Sequence, residues 1–109
     1  MNNSQLHNPH LDGSSVYWQG GPVGVLMFHG YTATTVDVRP LAERLRERGA
    51  TVAAPLLPGH GTHPSDLNRV RWHSWLNAAE TEYARISAEC ERVFVAGVSM
   101  GGVLVLNLA

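Results

Sequence analysis

Three short apolar runs limit what this chain can become: Val23-Gly24-Val25-Leu26-Met27-Phe28, Thr51-Val52-Ala53-Ala54-Pro55 and Arg92-Val93-Phe94-Val95-Ala96. Each is strand-length and nearly continuous in apolar character, the pattern of a strand covered on both faces. Between them the spacing turns helical. Val38, Leu41, Ala42 and Leu45 recur at i, i+3, i+4 and i+7, which predicts an amphipathic helix with Asp37 placed to cap it. Pro40 is tolerable only in a first turn, so that helix starts near Asp37. Gly49 stands where a helix C-terminus wants a left-handed residue. A longer helix is predicted over residues 72–89, with Trp72, Trp75, Leu76, Ala79, Tyr83 and Ile86 on one stripe and Glu80, Glu82 and Glu89 opposite. A short strand over residues 15–19, turned by Gly20-Gly21-Pro22, precedes the first run. Strands alternating with helices imply right-handed crossovers, hence an α/β chain with a parallel-dominated sheet and flanking helices.

In such sheets reactive groups gather at the carboxyl ends of the strands. Three segments leave those ends here: His29-Gly30-Tyr31, the Pro58-Gly59-His60-Gly61-Thr62-His63 loop, and Gly97-Val98-Ser99-Met100-Gly101. The last is a G-x-S-x-G sequence between an apolar strand and a helix opening at residues 102–109, the setting in which that motif makes a sharp turn and lifts a serine hydroxyl onto an apex. Gly97 and Gly101 leave room for backbone that a side chain would block. A serine hydroxyl is a poor nucleophile unless a base sits beside it, so Ser99 is a candidate nucleophile that needs partners. The Met100 N–H, first in the new helix, is the natural oxyanion donor. The Tyr31 N–H, turned inward after His-Gly, is the natural second. His29 reads as a residue that holds its loop by hydrogen bonding.

Other chemistry finds little support. A net charge of −1 offers no electrostatic footprint for nucleic acid or an anionic membrane, and no apolar stretch approaches the ~20 residues of a membrane span. Residues 1–10 lack both the basic and the apolar region of a signal peptide, so the cytoplasm is the expected location. One cysteine, Cys90, excludes an internal disulfide framework. His60, His63 and His73 lack the spacing of a metal site and are expected to scaffold loops. The Gly20-Gly21-Pro22-Val23-Gly24 stretch breaks the dinucleotide spacing, and no Walker lysine follows the elbow. No cofactor and no metal is expected.

Taken together, Leu26-Met27-Phe28-His29-Gly30-Tyr31-Thr32, Leu57-Pro58-Gly59-His60-Gly61-Thr62 and Val95-Ala96-Gly97-Val98-Ser99-Met100-Gly101-Gly102 resemble the α/β-hydrolase superfamily. The likeness is greatest to bacterial carboxylesterases and monoacylglycerol lipases. It implies the α/β-hydrolase fold, Ser99 as nucleophile, Tyr31 and Met100 as the oxyanion hole, and hydrolysis of small-molecule carboxylic esters through an acyl-enzyme. The family's order is Ser, then Asp or Glu, then His. The acid and base are therefore expected beyond Ala109, and residues 15–109 read as the N-terminal part of a hydrolase domain behind a flexible tail, residues 1–14. Ala33 departs from the glycine often found in relatives. Thioesterase, acyltransferase and serine peptidase activities share this front half. A non-catalytic hydrolase-like module that binds a ligand or partner is the alternative from another class.

Overall fold

The computed structural model describes residues 12–108; residues 1–11, most of the expected tail, lie outside the described residues. The apolar runs form the expected strands. Four strands, β1 (Val16–Trp18), β2 (Val23–Phe28), β3 (Thr51–Ala54) and β4 (Arg92–Gly97), assemble in the order β1-β3-β2-β4. β2 pairs in parallel with β3 (Val25 opposite Val52) and with β4 along its whole length, Val23 opposite Arg92 through Phe28 opposite Gly97. β1 runs antiparallel to β3, with Val16 opposite Ala54. Three helices cover the sheet: α1 (Arg39–Glu47), α2 (Trp72–Glu89) and α3 (Met100–Leu108).

The pleat divides the core in two. Leu26, Phe28 and Ala53 face Trp75, Ala79 and Ile86 of α2 and Leu104 of α3. Met27, Val52 and Ala54 face the other way, toward Val16, Val38 and Ala42. Leu26, Phe28, Val52, Ala53, Ala79, Ile86 and Leu104 are all fully buried. Burial of each large side chain is worth about 1.5–3 kcal/mol, so this two-faced seam dominates the stability of the described residues.

Three details depart from the sequence expectation. Asp37 does not cap α1. The chain enters through a 3-10 turn, Thr35–Asp37, capped by the Thr34 hydroxyl, and the N-cap of α1 is Val38 with no side-chain bond. The 3-10 turn satisfies N–H groups locally, with Val38 N–H donating to Thr35 O at 3.1 Å, which releases the Asp37 carboxylate for another partner. Leu41, on the expected apolar stripe, is 54% exposed. It lines a cavity with Ala96 and Gly97 at the end of β4. Tyr83 is likewise exposed, outside the Trp75–Ala79–Ile86 seam. Pro40 does lie in the first turn of α1, and Gly49 ends that helix at φ +93°.

The segment before β1 is tied down where it is described. Gly13 is buried, Ser14 O accepts the Thr35 hydroxyl at 2.6 Å, and Asp12 stands 3.6 Å from Arg39.

Candidate active site

The carboxyl ends of β2, β3 and β4 do converge. β4 ends at Gly97, and Val98 N–H donates to Phe28 O at 3.1 Å, strapping the turn to the end of β2. Ser99 follows at φ +56°, a left-handed conformation that costs an L-residue about 1–3 kcal/mol and persists only where the surroundings impose it. The surroundings here are backbone. A Cβ on Gly97 would meet Gly101 C and O at 2.2 Å, and one on Gly101 would meet Phe28 O at 2.4 Å. Both glycines are demanded by close approach, which lets α3 leave the turn directly against β2. Ser99 is exposed at the apex. Gly101 and Gly102 N–H groups bond back to Val98 O and Ser99 O, each at 2.9 Å, while the Met100 N–H finds no acceptor among the described residues.

Facing the turn is the loop after β2. A Cβ on Gly30 would stand 3.4 Å from Ser99 Cβ and 3.4 Å from Val98 O. Both backbone polar groups of Gly30 in this loop are committed. Gly30 O accepts from Ala33 N–H at 3.1 Å and from His29 Nδ1 at 2.8 Å, Gly30 N–H donates to Asp37 Oδ2 at 3.4 Å, and Tyr31 O accepts the Thr32 hydroxyl at 2.6 Å. The Tyr31 N–H has no acceptor among the described residues. Thr32, at φ +62°, is the other non-glycine residue with positive φ among the described residues, two positions after Gly30.

His29 explains how the loop is held. It is fully buried, and Leu57 N–H donates to its Nε2 at 3.0 Å. The ring proton therefore sits on Nδ1, where it donates to Gly30 O. Burial pushes the His29 pKa down; the Gly30 bond partly offsets this, the neighbouring His60 pushes the same way as burial, and Asp37 opposes it. A neutral imidazole with both nitrogens bonded is a clamp between the β2 and β3 loops. It is not poised as a base.

His60 sits 4.6 Å from His29, ring to ring, and 5.8 Å from Trp75. Its Nδ1 bonds Pro58 O at 3.2 Å, and burial lowers its pKa as well. Trp75 Nε1 donates to the same Pro58 O at 2.8 Å and packs against Tyr31, centroids 5.9 Å apart, and Trp72, 6.4 Å apart. The 58–63 loop and the start of α2 thus form an aromatic floor beneath Tyr31. His63 is exposed and caps the 3-10 helix Pro64–Arg69 through its ring nitrogen. Among the described residues no cluster of His, Cys, Asp or Glu could hold a metal ion. No described helix is long and apolar enough to cross a membrane.

The model of the alpha/beta hydrolase family matches residues 25–109, most of the chain and every segment just described. The chain belongs to the alpha/beta hydrolase family. Over 102 residues, 93% of its length, this hydrolase chain is 45% identical to the thermostable monoacylglycerol lipase of Bacillus sp. (strain H-257), covering 41% of that protein. It is 38% identical over 92 residues, 84% of the chain, to the carboxylesterase of Bacillus subtilis (strain 168), covering 37% of it. A solved structure of the metagenome-derived lipolytic enzymes LipS and LipT superposes with a TM-score of 0.84 at 35% identity over 88% of this chain and 40% of that one. The hydrolase chain therefore spans about two-fifths of the length of these relatives.

Sequence reading named Ser99, Met100, Gly97, Gly101 and Gly30-Tyr31, and the structure brings these residues together. Local sequence singles out neither Asp37 as a partner of the Gly30 loop nor Leu57 as the partner of His29. The only signal for Asp37 was a carboxylate near a helix start, which points to a cap. Nothing local signals the Leu57 contact.

Proposed function

We propose that the protein containing this segment is a serine hydrolase of small-molecule carboxylic esters that works without a cofactor in the cytoplasm. Ser99 is the nucleophile, and the N–H groups of Tyr31 and Met100 form the oxyanion hole. The observation that carries the reading is the strained Ser99 apex set against the Gly30–Tyr31 loop, with the Tyr31 and Met100 N–H groups among the donors there that have no acceptor within the described residues. Donors fixed in advance act on charge that appears only as the acyl carbon becomes tetrahedral. The names of the lipase and carboxylesterase relatives support ester chemistry over the other activities of the fold. The base that activates Ser99 and the carboxylate that orients it are assigned to polypeptide beyond Ala109 from the family's order of Ser, then acid, then His; both ring nitrogens of His29 are bonded, while His60 is held by Nδ1 alone and its buried Nε2 has no partner among the described residues.

The test uses the natural full-length protein. A fluorophosphonate labels Ser99, and Ser99→Ala abolishes both labelling and hydrolysis of short-chain p-nitrophenyl esters. Undiminished turnover in the alanine variant removes Ser99 as nucleophile, and absence of labelling in the parent favours a binding module. Tyr31→Pro, which deletes the N–H, lowers kcat by about 10²–10³. Tyr31→Phe, which keeps it, changes kcat far less. Equal losses would move the role of Tyr31 to its side chain.

A further inference from the structure

The Asp37 carboxylate is the feature that neither the α1 cap nor the proposed chemistry absorbs. Asp37 lines a cavity of about 210 Å³ beside the elbow together with Met27, Val38, Leu41, Ala96, Gly97 and Val98. The position a Gly30 Cβ would take is 3.9 Å from Asp37 Oδ2 and 3.4 Å from Ser99 Cβ, so the carboxylate and the nucleophile flank the same glycine. Its one hydrogen-bond partner in the loop is the Gly30 N–H.

We propose that Asp37 is a positioning residue for the oxyanion loop, holding the Gly30 N–H so that the Gly30–Tyr31 peptide keeps its Tyr31 N–H toward the acyl oxygen. A trans peptide carries its C=O and N–H on opposite sides, so the direction of Tyr31 N–H follows from that of Gly30 C=O. The carbonyl is pinned by His29 Nδ1 and Ala33 N–H. Those two bonds leave the plane free to rock about the Gly30 φ and ψ angles, because glycine adds no steric restriction of its own. The Asp37 bond to the preceding N–H removes that freedom. Gly30 is then held at both its backbone polar groups, one by each neighbouring element: the 3-10 turn before α1 and the end of β2. The work of Asp37 is that of an acceptor. Its charge is a cost, because a carboxylate near a developing oxyanion opposes it.

The proposal rests on the oxyanion role given above to Tyr31, and its test separates the two. In the natural full-length protein, Asp37→Ala lowers kcat for short-chain esters about tenfold with KM changed less than about twofold, because the lost alignment matters when the oxyanion forms. Asp37→Asn keeps an acceptor oxygen without the charge and restores kcat to within about twofold of the parent. The readout independent of catalysis is the Gly30 amide resonance, which shifts on acidification as the carboxylate protonates, and fails to do so in Asp37→Asn. His29 is the other titratable group against Gly30, so a response that persists in Asp37→Asn belongs to it and overturns the hydrogen bond to Asp37. A Gly30 response with unchanged kcat in Asp37→Ala overturns the positioning role. Equal kcat losses in the alanine and asparagine variants show that charge, and not acceptance, is what matters, which also overturns it. If the parent hydrolyses no ester while Gly30 still responds through Asp37, the esterase reading has failed and the hydrogen bond has not.

Discussion

β2 and β4 are neighbouring six-residue strands, both apolar and paired in parallel through six residues each, yet they end in opposite situations. In β2, Leu26, Met27 and Phe28 are buried in succession, with helices over both faces. In β4 the two faces differ. Val93 and Val95 pack toward α2 and α3, whereas Phe94, opposite Val25, is 55% exposed. It borders a groove of about 620 Å³ with Pro22, Val23, Val25 and Leu45. Among the described residues β4 is one of the two outer strands, and α1 packs on β3 and β2. β4 thus carries the composition of an inner strand in the position of an edge. An outer strand without proline, bulge or inward charge is a template for pairing. The relatives are more than twice as long and have further polypeptide with which to cover such an edge.

The largest effect is expected where β4 stops being an edge at all. Its last residue, Gly97, is pressed against Gly101, so Gly97→Ala forces backbone atoms apart and costs about 4 kcal/mol or more. A thermal or denaturant midpoint within error of the parent would mean that the elbow is not closely packed. The next effect tests the contrast itself. Phe28→Ala costs about 3–5 kcal/mol. Phe94→Ala in the 109-residue chain costs about 0.5 kcal/mol or less, as for a surface position. If the full-length protein covers β4, the Phe94 cost rises there toward that of Phe28; equal small costs in both settings would break the comparison.

A smaller effect follows from the histidines at the end of β2 and in the loop beyond β3. Burial holds both His29 and His60 below the ordinary value of 6.5. Above that pH the ring is neutral in folded and unfolded chains and its contribution to stability is complete. As pH falls through 6.5 toward the lowered folded values, the unfolded chain takes up protons that the folded chain refuses, and stability declines. Denaturation midpoints should therefore drop between about pH 7.5 and about pH 5, less so in His29→Gln. A slope that His29→Gln leaves unchanged would assign it to His60 or elsewhere. Least costly of all is Phe94→Lys. It leaves stability within about 0.5 kcal/mol, yet reduces self-association and apolar-dye binding of the 109-residue chain by charging the open edge. Unaltered dye binding would place the sticky surface on α3, where Val103 and Leu106 are also exposed.

Much of this molecule is legible in local sequence because its signals are short-range. β2 begins and ends as the apolar run does, α2 spans its full stripe from Trp72 to Glu89, Pro40 and Gly49 mark the two ends of α1, and the doubled glycine around Ser99 announces a turn that only glycine permits. Periodicity, φ preference and backbone clearance are properties of a few consecutive residues. The tertiary structure alone decided which partners lie across the chain. It turned Asp37 from a cap into a hold on Gly30, joined His29 to Leu57 28 residues away, and stacked His60 and Trp75 beneath Tyr31. It also left Leu41, Tyr83 and Phe94 in solvent, although their spacing marks them for a core. An apolar residue encodes a preference for burial, but whether anything covers it depends on which elements reach that side of the sheet, and that is settled only when the strands have taken their order.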